Sequence, residues 1–332
     1  MKITVLGSGT WGTALARMLS KNGHDVTLWS ALPAEIERLS ETRTHPNLPG
    51  MILPEEIRLT AGLETAVRGS ELLLFAVPSV FIRATAARAS VFASPEQYVV
   101  CVAKGLEKDS FLVMTDVILE EFAPHVTLRH PPVALSGPTH AEEVAADLPT
   151  TIVAASEDPE TARLVQLTFS NDVMRVYTNS DVRGVELCGA LKNIIALAAG
   201  VCDGAGGGDN AKAAIITRGA AEIARLGRAM GCDERTFYGL AGIGDLIVTA
   251  TSRHSRNNRA GRLIGTGLSA AEAVKEVGMV VEGLNALPAA VGLARRLNVE
   301  MPITFAVQEL VDGKASPSEM MLRLMRREYK EE

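Results

Sequence analysis

Five short segments of this chain carry side chains suited to chemistry. Lys192 lies in CGALKNIIALAAG, where its neighbours on every face are apolar or small. Burial disfavours the charged form of a lysine. A lysine tuned toward neutral pH can exchange a proton with a substrate oxygen. The other reading is a lysine that snorkels from the helix edge or pairs with a carboxylate. Lys104 follows the apolar run YVVCVA and precedes Gly105. That is the carboxyl end of a predicted parallel strand, where open α/β sheets bind ligands, although an ordinary strand-end lysine fits equally. Ser136-Gly137-Pro138-Thr139 ends another apolar strand, with Thr139 placed to cap a helix over 140–146. Its backbone N–H groups could face a ligand, or the segment is a plain turn.

Asp245 sits in GLAGIGDL, and Thr249 falls on the same helical face four residues on. An acid between glycines and an apolar stretch is a candidate partner for a buried lysine, or simply an N-cap. Ser255-Arg256-Asn257-Asn258-Arg259 reads as a polar, basic loop. Arginine makes bidentate bonds to phosphate and asparagine adds an amide donor. A solvated surface loop has the same composition.

These residues need elements to position them. The chain opens with an apolar strand, then Gly7, Gly9 and Gly12 at the spacing G-x-G-x-x-G, then an amphipathic helix up to Asn22-Gly23 and a second strand over 26–29. In that strand–turn–helix–strand context the glycines indicate dinucleotide binding. Gly7 allows the tight turn, Gly9 lets backbone approach a pyrophosphate, and Gly12 lets helix and strand pack closely. The helix N-terminus offers N–H groups and a partial positive charge to phosphates.

Strands are predicted over 2–6, 26–29, 71–77, 98–103, 132–136, 151–155 and 173–177. Solid apolar runs such as LLLFAV suggest strands of a parallel sheet buried on both faces. Helices are expected over 33–39, 80–89, 110–122 and 159–169, with Ser79 and Asp158 as N-caps. After Ser180 the strand signal ends and helical segments follow, first one over 185–199 that is apolar nearly all round, as a buried helix should be. The fold class is therefore α/β: an N-terminal Rossmann-like doubly wound sheet over 1–180 and a C-terminal all-α domain over 181–332. The glycine-rich segment 204–208 is a lid, a hinge or a plain connection between two helices.

The formal net charge of −6 leaves no electrostatic case for nucleic acid or an anionic membrane. No apolar run approaches the roughly 20 residues that span a bilayer, and MKIT leads straight into a strand, so no signal peptide is expected. The four cysteines form no close pair and no metal-ligand spacing. They are expected to be reduced core residues of a cytoplasmic protein without a metal.

The ordered set GSGTWGTALA, VAKGLE, LSGPTHAEE, GALKNIIALAAG, GLAGIGDLIVT, SRNNR and VVEG resembles the bacterial-type NAD(P)-dependent glycerol-3-phosphate dehydrogenases, from Met1 to about Thr304. The resemblance implies an active site in the cleft between two domains. It implies reversible hydride transfer between dihydroxyacetone phosphate and sn-glycerol 3-phosphate, for glycerophospholipid synthesis. It also implies a homodimer. Lys192 then corresponds to the proton donor or acceptor at the C2 oxygen, with Lys104 and Asp245 completing the catalytic set. Gly137, Thr139, Asn193, Thr249, Ser255, Arg256 and Asn257 correspond to further substrate contacts. Thr10, Trp11, Ala141, Val280 and Glu282 correspond to cofactor contacts, to which Lys104 and Arg256 also belong.

One departure bears on the cofactor. Trp29-Ser30-Ala31-Leu32 contains no Asp or Glu for a ribose 2′-hydroxyl. It also lacks the His or Arg that the family often places there for a 2′-phosphate. Ser30 can donate one hydrogen bond to either. The missing acid favours NADP(H) slightly, with NAD(H) use open. Two other readings remain: a 3-hydroxyacid or ketopantoate-type dehydrogenase, and a non-catalytic NAD(P)H sensor. The basic segment after Asp245 speaks against the first, and the presence of Lys104, Lys192 and Asp245 against the second.

Overall fold

Alternation along the strands builds the first unit. The computed structural model describes residues 1–328 and 331. Its strands are β1 (Lys2–Leu6), β2 (Asp25–Trp29), β3 (Arg58–Thr60), β4 (Leu72–Phe75), β5 (Tyr98–Cys101), β6 (Val133–Ser136), β7 (Thr150–Ala155) and β8 (Met174–Asn179). They form one sheet in the order β3-β2-β1-β4-β5-β6-β7-β8. The first six follow the doubly wound order of dinucleotide-binding sheets. Leu72 and Leu74 of β4 enter one apolar cluster with Ile3, Val5 and Leu28, while Leu73 and Phe75 enter a second with Leu6 and Trp29. A period of two thus buries both faces.

Helices α1 (Thr10–Lys21), α2 (Pro33–Thr42), α3 (Leu63–Val67), α4 (Ile82–Ser90), α5 (Met114–Phe122), α6 (Ala141–Ala145) and α7 (Pro159–Phe169) connect the strands. Within the sheet, among the described residues, β6 departs from parallel pairing and runs antiparallel to β7. Their connection carries only the five-residue α6, too short for the helical crossover that parallel neighbours need. Asp147, just beyond it, is tied to Arg17 and Lys21 of α1 at 2.9 and 2.7 Å.

Among the described residues the regular elements that follow β8 are all helices: α8 (Val182–Gly204), α9 (Gly208–Ala229), α10 (Glu234–Phe237), α11 (Asp245–Thr251), α12 (Arg256–Gly265), α13 (Ala270–Val277), α14 (Glu282–Arg296), α15 (Pro302–Val311) and α16 (Pro317–Met325). The two units are Met1–Lys104 with Leu112–Glu186, and Gly105–Phe111 with Leu187–Glu332, so the division falls inside α8. Among the described residues α8 is the one helix long and apolar enough to cross a membrane, and that stretch is entirely buried in the fold. Four glycines let it meet α12 backbone to backbone. A Cβ on Gly200 or Gly204 would overlap the carbonyls of Asn258 and Arg262, and one on Gly261 or Gly265 those of Leu197 and Val201. This close approach packs α12 along the C-terminal half of α8.

Several local expectations change. Helix α5 starts at Met114 rather than 110, because Phe111 takes a left-handed conformation (φ 63°) and its ring fills the space beside Gly292. Ser79 does not cap α4; it opens a short 3-10 turn, Ser79–Phe81, ahead of it. Thr139 does not cap α6, whose cap position is His140; its hydroxyl turns back onto Gly137 O at 3.0 Å. Asp158 does cap α7, accepting from the N–H groups of Glu160 and Thr161. Strand β3 is an addition at the sheet edge. Segment 204–208 is a connection of three residues between α8 and α9, with Gly206 and Gly208 at positive φ. The four cysteines form no disulfide, and three of them are buried.

Candidate active site

In the first unit the glycine loop joins the end of β1 to α1. Gly7 sits at φ 125°, its N–H bonded to Trp29 O at 2.9 Å, and a Cβ there would stand 2.7 Å from Ala76 O. A Cβ on Gly12 would strike the Gly7 carbonyl, whereas one on Gly9 would meet nothing within 4 Å. The space over Gly9 is therefore clear. Thr10 and Trp11 begin α1, which has no side-chain cap and no acid in its first turn. Open space, unbonded helical N–H groups and the absence of negative charge suit a pyrophosphate. Asn47 donates to Thr10 Oγ1 at 3.3 Å and so adds a polar neighbour to this loop.

Ser30 directly follows β2 and is nearly buried at 4% exposure. Its hydroxyl donates to Glu35 Oε2 at 2.9 Å, and Ser8 of the glycine loop donates to the same oxygen at 2.6 Å. Sequence reasoning missed Glu35, which belongs to the first turn of α2 and reaches back to the strand end. It also missed His45. There burial, and then the charge of Arg38, lower the imidazole's proton affinity against a weaker opposing pull from Glu35 and the Ser8 backbone.

Lys104, beyond the end of β5, donates to Gly137 O at 3.0 Å and Thr139 Oγ1 at 3.4 Å. Three of the expected contact residues thus converge at the carboxyl ends of β5 and β6. Gly137 has φ 157°, and a Cβ there would press on Ile152 at 3.0 Å. Ala141 begins α6 and packs against the core cluster of this unit.

The second unit holds a separate polar cluster. Lys192 Nζ donates to Asp245 Oδ1 and, at 2.7 Å, to Thr249 Oγ1; Thr249 Oγ1 donates to Asp245 Oδ1 at 3.3 Å. The Lys192 side chain is 6% exposed and that of Asp245 1%. The candidate N-cap reading of Asp245 thus gives way to the lysine partner. A π-turn, Leu240–Gly244, precedes it, closed by Gly244 N–H on Gly239 O at 3.2 Å. Such widened turns re-aim a helix end and recur at functional sites.

The stretch expected as a loop at 255–259 is the start of α12. Ser255 is its N-cap, accepting from Asn258 N–H at 3.2 Å. Arg256 is the first helical residue and is exposed, while Asn257 and Asn258 are buried. Asn257 bonds Asn193 Oδ1 and the Gly283 N–H, both at 2.8 Å. Val280 lies just ahead of α14, and Glu282 opens it and accepts from Asn285 at 3.3 Å.

Comparisons with known proteins agree over both units. A family model described as NAD-dependent glycerol-3-phosphate dehydrogenase N-terminus matches residues 2–162, and the corresponding C-terminus model matches 181–322. Glycerol-3-phosphate dehydrogenase [NAD(P)+] 2 of Lactobacillus delbrueckii subsp. bulgaricus is 59% identical over 334 residues, covering 100% of this chain and 98% of the relative. The chain belongs to the NAD-dependent glycerol-3-phosphate dehydrogenase family. A member from Agathobacter rectalis is 48% identical, with 97% and 96% of the two chains covered. The crystal structure of the Coxiella burnetii glycerol-3-phosphate dehydrogenase superposes with a TM-score of 0.93 at 35% identity, over 98% and 99% of the chains. The C-terminal family match takes in Lys192, Asp245, Arg256 and Asn257; the N-terminal match takes in the glycine loop, Lys104 and Thr139.

Proposed function

We propose that this chain is an NAD(P)-dependent sn-glycerol-3-phosphate dehydrogenase that reduces dihydroxyacetone phosphate, reversibly, as a soluble homodimer of the cytoplasm, and supplies glycerol phosphate for lipid synthesis. The observation that carries the reading is the buried Lys192–Asp245–Thr249 cluster beside the capped start of α12. The nicotinamide supplies or takes the hydride when bound.

The chain's own residues then have separate tasks. Asp245 and Thr249 fix the Lys192 ammonium in one orientation, so that the cation is aimed rather than mobile. Negative charge developing on the C2 oxygen is stabilised by that cation, which gives the oxygen its proton. In the reverse direction the neutral amine takes the proton back. Ser255 pre-forms the first turn of α12, and Arg256 and Asn257 in that turn suit a phosphate through charge, amide and helix N-terminus together. In the other unit Gly7, Gly9, Gly12, Thr10 and Trp11 bind the dinucleotide, and Lys104 with Gly137 and Thr139 forms a polar rim for cofactor and substrate.

The test is consumption of reduced nicotinamide, followed by absorbance, with dihydroxyacetone phosphate and with ketopantoate in parallel. Turnover of the phosphate ketone supports the proposal. Turnover of the carboxylate ketone alone overturns it.

A further inference from the structure

At the end of β2 the sequence lacks the acid that contacts a ribose in NAD-specific dinucleotide folds, yet the fold delivers one from elsewhere. Glu35 stands 23 residues beyond Gly12, the last glycine of the fingerprint, a few positions past the spacing of about 20 at which such an acid is expected. It rises from the first turn of α2, not from the strand. Two serines anchor it, one from each side of the nucleotide-binding turn: Ser8 from the glycine loop and Ser30 from the end of β2, each 4% exposed. Both hydroxyls meet Oε2. Among the described residues no hydrogen bond engages Oε1.

We propose that Glu35 reads the adenosine ribose of the dinucleotide and makes this chain selective for NAD(H) over NADP(H). The proposal rests on the dehydrogenase reading above. A ribose 2′-hydroxyl can donate to a carboxylate oxygen, whereas a 2′-phosphate brings two negative charges against it, and like charges at that range oppose binding strongly. Ser30 no longer serves as a donor for the phosphate. Its proton is committed to Glu35, and its oxygen accepts the Leu32 N–H at 3.2 Å. Arg38, one turn further along α2, is exposed, and among the described residues no hydrogen bond holds its side chain, so it is the weaker determinant. Ala31 and Leu32 offer no cation at all. The slight preference for NADP(H) inferred from the missing acid is thereby reversed.

The experiment titrates NADH and NADPH separately into the whole protein, with dissociation constants read from nicotinamide fluorescence. Competition by AMP and by adenosine 2′,5′-bisphosphate reads the ribose site without the nicotinamide. The wild type should bind NADH roughly tenfold or more tightly than NADPH, and AMP should compete better than the bisphosphate. Glu35→Gln should shift the ratio toward NADPH by a similar factor, while Arg38→Ala should leave NADH first. Equal wild-type affinities, or a ratio unmoved in Glu35→Gln, would overturn the proposal and leave the dehydrogenase reading intact. Binding of neither dinucleotide would overturn both.

Discussion

Asn193 and Asn257 share a hydrogen bond whose direction the backbone at both ends dictates. Gly283 N–H can only donate, so the Asn257 atom it meets at 2.8 Å is the oxygen. Asn257 therefore presents its NH2 to Asn193, 2.8 Å from Oδ1. Asn193 in turn spends its NH2 on Gly189 O at 3.1 Å, an atom that can only accept. One polarised chain of three bonds thus ties α14 to α12 and α12 to α8, next to Lys192. A Cβ on Gly283 would stand 2.6 Å from the Asn193 carbonyl oxygen, which is why the three helices can close on this point.

The first prediction follows from that polarity. Asn257→Asp keeps the acceptor for Gly283 but loses the donor and faces Asn193 Oδ1 with a second oxygen. A buried unsatisfied or repelling polar pair costs about 1–3 kcal/mol. Chemical denaturation should register a loss of that order. Asn257→Asp should lose more than Arg256→Ala, whose side chain is exposed. Equal stability of Asn257→Asp and wild type would show that the tie is not maintained in solution.

Arg256 is predicted to act on substrate rather than on stability. Removing a charged contact to phosphate costs roughly 1.5–3 kcal/mol, so Arg256→Ala should raise KM for dihydroxyacetone phosphate by about ten- to hundredfold, with a smaller change in kcat. Steady-state kinetics decide the matter. An unchanged KM would move the phosphate site away from the start of α12.

Lys192 and Asp245 should be energetically coupled. Removing one member of a buried ion pair typically costs about 3–5 kcal/mol, because the other charge is left unpaired. Lys192→Met and Asp245→Asn should each destabilise, and the double variant should lose much less than their sum. Additive losses in a denaturation cycle would argue that the pair is not formed.

Glu186 gives a pH prediction. Burial pushes its carboxyl up to about 8, against the opposing pull of the Thr115 N–H and hydroxyl. The folded value lies above the unfolded one, near 4.5, so the folded state holds more protons between them. Stability from this group should therefore fall as pH rises from about 4.5 to about 8 and level off beyond. Glu186→Gln should flatten that part of the profile, with a gain on the order of a few kcal/mol above pH 8. Melting temperature against pH is the measurement. Identical profiles would mean that the carboxyl is ionised in the fold without cost.

The sheet was readable because strands buried on both faces must be apolar runs, as LLLF and YVVC are. Strand β3 was not, since three residues with Arg58 and Thr60 among them carry no such signal. Lys192 stood out because one cation interrupts an apolar helix, but nothing in spacing alone marks Asp245, 53 positions away, as its partner. The start of α12 has the composition of a loop because Ser255, Asn257 and Asn258 face a buried network, a destination that composition cannot distinguish from solvent. Glu35 escaped notice for a geometric reason. The strand end carries no acid; the chain turns first and brings one back from α2, held by two serines that sequence cannot orient.

The decisive measurement pairs two readings on one sample: the rate of dihydroxyacetone phosphate reduction and the affinity for reduced dinucleotide, in wild type and in Lys192→Met. The account predicts turnover in the wild type. In the variant it predicts a rate loss on the order of 10³-fold or more with dinucleotide affinity unchanged. Near-normal turnover by Lys192→Met would contradict it.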